Sequence, residues 1–109
     1  MLSIQHILHS LYTYDMTYLH RYGASVVKLF PAGNLGLSYC KAVMAPINHI
    51  PMIAVGGVDD KNLPDFLKAG FIGLGIGSSL TNKKMIEEGR YDELKALAET
   101  YVKAAVTIQ

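Results

Sequence analysis

The chain has 109 residues, half of them hydrophobic and 17% charged, which suits one globular core and is too short for two ordinary domains. Ten Lys and Arg against nine Asp and Glu leave a net charge of +1, and without a basic cluster this argues against nucleic acid as a partner. No apolar stretch reaches the roughly 18 to 20 residues that span a bilayer. The opening MLSIQHILHSLYTY lacks a signal peptide's basic start and cleavage site, and the single Cys40 fits a reducing cytoplasm, so the expected location is cytoplasmic with no membrane partner.

In chain order, residues 1–14 show no clear period and are expected to form an irregular segment ahead of residues 15–109. A Tyr-rich helix follows over about 15–22, closed by Gly23. The run at 25–30 (SVVKLF) reads as a strand, stopped by Pro31, which lacks the N–H that a strand ladder needs. Residues 35–44 carry Leu35, Tyr39, Val43 and Met44 on one helical stripe. A second strand spans 51–55 and ends in Gly56-Gly57, and a helix spans 60–69 with Asp59 or Asp60 as N-cap and Gly70 as its C′ residue. A third strand spans 71–76 and ends in Gly77-Ser78-Ser79. The last helix covers about 92–106, with Leu94, Leu97, Ala98, Tyr101, Val102 and Ala105 on one face. Strands that alternate with helices imply βα units, a parallel sheet and right-handed crossovers. Their continuous hydrophobicity is that of strands covered on both faces. Only Lys28 and Lys41 are charged between Gly23 and Val58, against ten charges from Lys83 to Lys103, so the middle is the packed part.

Lys28 is the most informative residue. In V-V-K-L-F, strand geometry puts Val26, Lys28 and Phe30 on one face, so the ammonium stands among apolar side chains. Such a charge is costly unless it reaches water or lines a cavity. Either Lys28 snorkels to solvent from a strand end, or desolvation favours a neutral amine able to attack a carbonyl. Val55-Gly56-Gly57-Val58 is either a tight βα turn or a loop whose backbone N–H groups approach an anion. Gly75-Ile76-Gly77-Ser78-Ser79 repeats the arrangement one unit later, and paired loops after the last strands of a (β/α)₈ barrel often build a phosphate site. Neither loop fits a dinucleotide fingerprint or a P-loop. His6, His9, His20 and His49 show no metal-ligand spacing, and Tyr12, Tyr14, Tyr18 and Tyr22 read as packing or interface residues.

The segments GASVVKLFPA (23–32), AVGGV (54–58), NLPDFLKAG (62–70) and GLGIGSSL (73–80) follow one another in a combination that resembles the C-terminal part of one family. That family is the class I 2-keto-3-deoxy-6-phosphogluconate / 4-hydroxy-2-oxoglutarate aldolases. The resemblance implies a single partial (β/α)₈ TIM-barrel domain over 1–109, containing about strands six to eight with their helices. It also implies cleavage of a 2-keto-3-deoxy sugar acid phosphate, or of 4-hydroxy-2-oxoglutarate, to pyruvate and an aldehyde. Lys28 would be the Schiff-base lysine, Phe30 and Pro31 would shape its pocket, and Gly56, Gly57, Gly77 and Ser78 would hold the substrate phosphate. No metal and no organic cofactor would be needed. The family is usually trimeric, so the expected partner is a second copy or a complementing chain. Many members carry Thr where this sequence has Val55, and the family's general-base Glu and substrate-binding Arg have no counterpart here. The resemblance therefore implies either an impaired or assembled aldolase, or a remnant that binds phosphate or keto acid without turnover. A barrel enzyme using the same phosphate loops without a Schiff base is a third possibility.

Overall fold

The computed structural model describes residues 7–10 and 13–107. Its elements are β1 (Ile7–Ser10), α1 (Thr13–Arg21), β2 (Val26–Leu29), α2 (Ala32–Leu35), α3 (Leu37–Met44), a 3₁₀ turn (Ala45–Ile47), β3 (Met52–Val55), α4 (Leu63–Lys68), β4 (Gly73–Gly75), α5 (Lys83–Glu87) and α6 (Tyr91–Val106). The four strands form one sheet in the order β1-β2-β3-β4, and every pair is parallel. Successive βα units therefore lie side by side, as in the wall of a barrel.

The expected irregular segment is corrected here. Ile7–Ser10 pairs with β2 from Ile7↔Val26 to Ser10↔Leu29, so the sheet has four strands where three are expected. ILHS has neither clear alternation nor flanking turn residues, and its strand character comes from the hydrogen-bonding edge that β2 offers. Tyr12 and the side chains of His6, His9 and Tyr14 lie outside the described residues.

Two helices also differ from expectation. The expected helix at 35–44 is split by Gly36, whose φ of 94° breaks the helical path between α2 and α3. The helix expected from Asp60 begins instead at Leu63, with Asn62 as N-cap, because Pro64 sits in its first turn and the Asp59 carboxylate is spent on a turn of its own. Gly70, at φ 112°, does serve as the C′ residue. The short helix α5 goes beyond the expected set and is capped by Asn82 Oδ1, which accepts from the Met85 N–H at 3.1 Å.

One face of β2 and β3 is covered. Val27, Leu29, Met52 and Ala54 point toward the helices and are buried with Cys40, Leu63, Phe66 and Tyr101. Burying a side chain such as Leu29 or Met52 contributes about 1.5–3 kcal/mol. The opposite face carries Val26, Lys28, Ile53, Val55, Gly73 and Gly75, all of them half-buried. Burial thus alternates along β2 and β3, although the sequence is apolar on both sides. Among the described residues, the helices bury one side of β2 and β3. Val102 departs from the expected α6 stripe, since it is 61% exposed while Tyr101 is buried. Among the described residues, no helix is long and apolar enough to cross a membrane.

Candidate functional site

The site is built where the strands end. After β3 the chain turns through Gly56 at φ 91° and Gly57 at φ 69°, a left-handed path that favours glycine. Three ties hold this loop. The Gly33 N–H donates to Gly56 O at 2.7 Å, the Asn62 side-chain amide donates to Gly57 O at 2.9 Å, and the Ser79 hydroxyl donates to Val58 O at 3.0 Å. In a trans peptide the N–H points opposite to the carbonyl of the same unit. Tying Gly56 O and Gly57 O down therefore turns the N–H groups of Gly57 and Val58 away from those partners. Neither N–H donates to a protein acceptor among the described residues.

The loop after β4 is built in the same way. Gly77 O accepts from the N–H groups of Leu80 and Thr81 at 3.0 Å each, and from the Thr81 hydroxyl at 3.1 Å. The Ser78 N–H, on the same peptide as that carbonyl, is turned out of the turn. Together with the Ser79 N–H and the Ser78 hydroxyl, it has no acceptor among the described residues. Gly75 lets this loop approach the previous one, since a Cβ there would stand 2.7 Å from Val55 Cγ2. Between the loops lies a cleft of about 470 Å³, lined by Phe30, by residues 55–59 and by residues 75–79. Unpartnered N–H groups on two loops that line one cleft, with a hydroxyl beside them, are groups that can hold an anion.

Lys28 stands on the open face of β2, in register with Ile53 of β3. Its Nζ lies 6.0 Å from the centroid of the Phe30 ring. That ring in turn leans on Gly56, where a Cβ would stand 2.7 Å from Phe30 Cε2 and 3.0 Å from Pro31 Cα. Phe30 thus connects the amine to the cleft, while Lys28 and Pro31 stand just outside the cleft lining. Asp59 is the one titratable residue of the lining, and its Oδ1 accepts from the N–H groups of Lys61 and Asn62 at 2.9 Å each.

Comparison with known proteins gives this geometry a context. A family model described as KDPG and KHG aldolase matches residues 11–97. This chain belongs to the KDPG and KHG aldolase family. The 2-dehydro-3-deoxy-6-phosphogalactonate aldolase of Escherichia coli (strain K12) is 35% identical over 83 residues, 75% of this chain and 40% of that protein. The 2-dehydro-3-deoxy-phosphogluconate aldolase of Dickeya dadantii is 34% identical over 85 residues, 77% of this chain and 40% of its own length. A solved structure described as native KDPGal superposes with a TM-score of 0.73 at 29% identity, over 91% of this chain and 48% of that one. A cube-shaped protein cage designed by fusing symmetric oligomeric domains gives a TM-score of 0.76 at 29% identity, over 93% and 36%. The chain thus spans about 40% of the length of the curated relatives it matches, and its fold is a partial barrel of the aldolase type.

Within this family fold, the structure gathers Phe30, Gly56, Gly57, Gly77 and Ser78 around one cleft, with Lys28 and Pro31 at its edge. Sequence reasoning missed two residues that hold the cleft in shape, Gly33 and Asn62, and offered Ser79 as a donor to phosphate, whereas its hydroxyl donates to Val58 O. A Cβ on Gly33 would stand 2.0 Å from Gly57 O, so the two loops touch backbone to backbone there. The signal for Asn62 was its spacing from Asp59. Each of the two accepts the other's N–H, at 2.8 Å for Asp59 N–H and 2.9 Å for Asn62 N–H. No local pattern announces the Ser79 bond, because its partner Val58 is 21 residues away.

Proposed function

We propose that this chain carries the Schiff-base lysine and the phosphate cradle of a class I aldolase. The substrate is a 2-keto-3-deoxy sugar acid phosphate or 4-hydroxy-2-oxoglutarate, and the products are pyruvate and an aldehyde. The observation that carries the reading is the placement of Lys28 on the open sheet face, joined through Phe30 to a cleft of unpaired N–H groups.

The steps follow from amine chemistry. Nζ of Lys28, as the free amine, attacks the keto carbon; the carbinolamine hydroxyl takes up a proton and leaves as water, which gives a protonated imine. As the carbon–carbon bond breaks, its electron pair flows into the imine, the substrate hydroxyl gives up its proton, and the aldehyde departs. The enamine left behind takes a proton at carbon, and water hydrolyses the imine to free pyruvate and Lys28. Phosphate held by Gly57, Val58, Ser78 and Ser79 N–H groups supplies remote binding energy that orients the reacting carbons. The hydroxyl proton passes to a base on the remainder of the barrel. A second copy or a complementing chain that completes the barrel wall, in the cytoplasm, is the proposed source.

The alternative reading is a member that binds phosphate or keto acid without turnover. It rests on the cleft alone, whose unpaired N–H groups can hold an anion without a reacting amine. Borohydride trapping separates the two. Reduction of the full chain in the presence of pyruvate, followed by digestion and mass spectrometry, is expected to place a pyruvyl adduct on Lys28, with none in Lys28→Arg. A folded wild-type chain without an adduct, or labelling that survives Lys28→Arg, would overturn the Schiff-base assignment.

A further inference from the structure

The cleft depends on a residue that does not line it. Asn62 lies between the loop after β3 and α4, and its side chain makes two hydrogen bonds back into that loop. Its Oδ1 accepts the Asp59 N–H at 2.8 Å, and its Nδ2 donates to Gly57 O at 2.9 Å. The second bond is the informative one. Gly57 O and the Val58 N–H belong to one peptide unit, so a donor on the oxygen fixes the direction of the N–H. With φ of 91° and 69° at Gly56 and Gly57, the backbone here has two residues of unusual freedom. On one side of this peptide Gly57 leaves ψ free of side-chain restraint, so the hydrogen bond to its oxygen is what sets its direction. Rotation would turn Gly57 O toward the cleft in place of the Val58 N–H, exchanging a donor for an acceptor where an anion must sit. Gly33 fixes the preceding peptide in the same sense, through backbone alone. Asn62 is the side chain that fixes this one.

We infer that Asn62 is a positioning residue for the anion cradle, holding the Gly57–Val58 peptide with its N–H toward the cleft. The inference rests on the reading that the cleft takes the substrate phosphate, and it adds to that reading a side chain which touches no substrate. The pyruvate-binding step at Lys28 does not pass through this bond, so the two functions of the site separate in an Asn62 variant. A residue that merely supported the fold would affect both together.

The test uses the full chain, labelled with ¹⁵N and titrated with inorganic phosphate, alongside borohydride trapping with pyruvate. In the wild type, the Gly57 and Val58 amide signals shift as phosphate is added. In Asn62→Ala, phosphate affinity falls about three- to tenfold, the size of one net hydrogen bond. The Val58 amide then loses most of its shift while the Ser78 amide keeps its own, and pyruvate labelling of Lys28 stays at the wild-type level. Equal phosphate affinity in wild type and Asn62→Ala would overturn the inference while leaving the phosphate reading intact. Joint loss of phosphate binding and pyruvate labelling would also overturn it, since Asn62 would then support the fold as a whole. A wild-type chain that binds no phosphate would instead remove the phosphate reading, and the inference with it.

Discussion

Substitution of Gly33 by alanine tests whether the two strand-end loops touch as described. The added methyl would stand 2.0 Å from Gly57 O, 2.3 Å from Gly57 C and 2.8 Å from Gly57 Cα. All three are backbone atoms, so no change of rotamer relieves the clash. Moving the methyl from 2.0 Å to beyond 3.0 Å requires the loops to part by at least 1 Å. Overpacking of this kind costs about 1–3 kcal/mol. The same movement breaks the 2.7 Å bond from the Gly33 N–H to Gly56 O, adding about 0.5–1.5 kcal/mol. A combined loss of about 1.5–4.5 kcal/mol lowers the melting temperature by at least about 6 °C in a domain of this size. Gly77→Ala is the control, because no atom lies within 4 Å of its Cβ position and its φ is not positive. Its melting temperature is expected within about 2 °C of wild type. Thermal unfolding followed by circular dichroism reads both. Gly33→Ala melting within about 2 °C of wild type would refute the backbone contact and the cradle geometry built on it.

Ser78→Ala combined with Gly57→Ala removes the free hydroxyl and strains a residue at φ 69°, so affinity for a phosphorylated ligand falls by about tenfold or more; isothermal titration showing unchanged affinity would exclude the two-loop site. Cys40 is fully buried, and burial pushes its thiol up from the ordinary value of 9.0. The folded state then keeps a proton that the unfolded chain releases, so stability is full below pH 9.0 and declines as pH rises above it. Denaturant melts of Cys40→Ala should show a shallower alkaline decline than wild type, and identical slopes would contradict the burial argument.

The class of the fold was legible because its signals are local. Apolar runs ended by Pro31, by Gly56-Gly57 and by Gly77 mark three strands, each within about two residues of β2, β3 and β4. Gly23 and Gly70 close helices with the positive φ that their positions require. Lys28 was conspicuous because a lone charge stands in a strand of apolar residues. The strand Ile7–Ser10 was not legible, since ILHS has no period of its own and takes strand geometry from its pairing with β2. The division of the 35–44 helix at Gly36 and the late start of α4 at Leu63 also depend on how neighbouring loops are tied.

The site divides along the same line. Residue types and their order set out a lysine on a strand and two glycine-ended loops, because strand period and glycine freedom act over a few residues. Only the tertiary structure decided that both loops border one cleft, that Phe30 links the amine to it, and that Gly33, Asn62 and Ser79 tie down the loop after β3. Those relations join residues far apart in the chain, such as Phe30 and Gly56, 26 apart, and Gly33 and Gly57, 24 apart. No local pattern encodes a hydrogen bond whose partner arrives from another strand end.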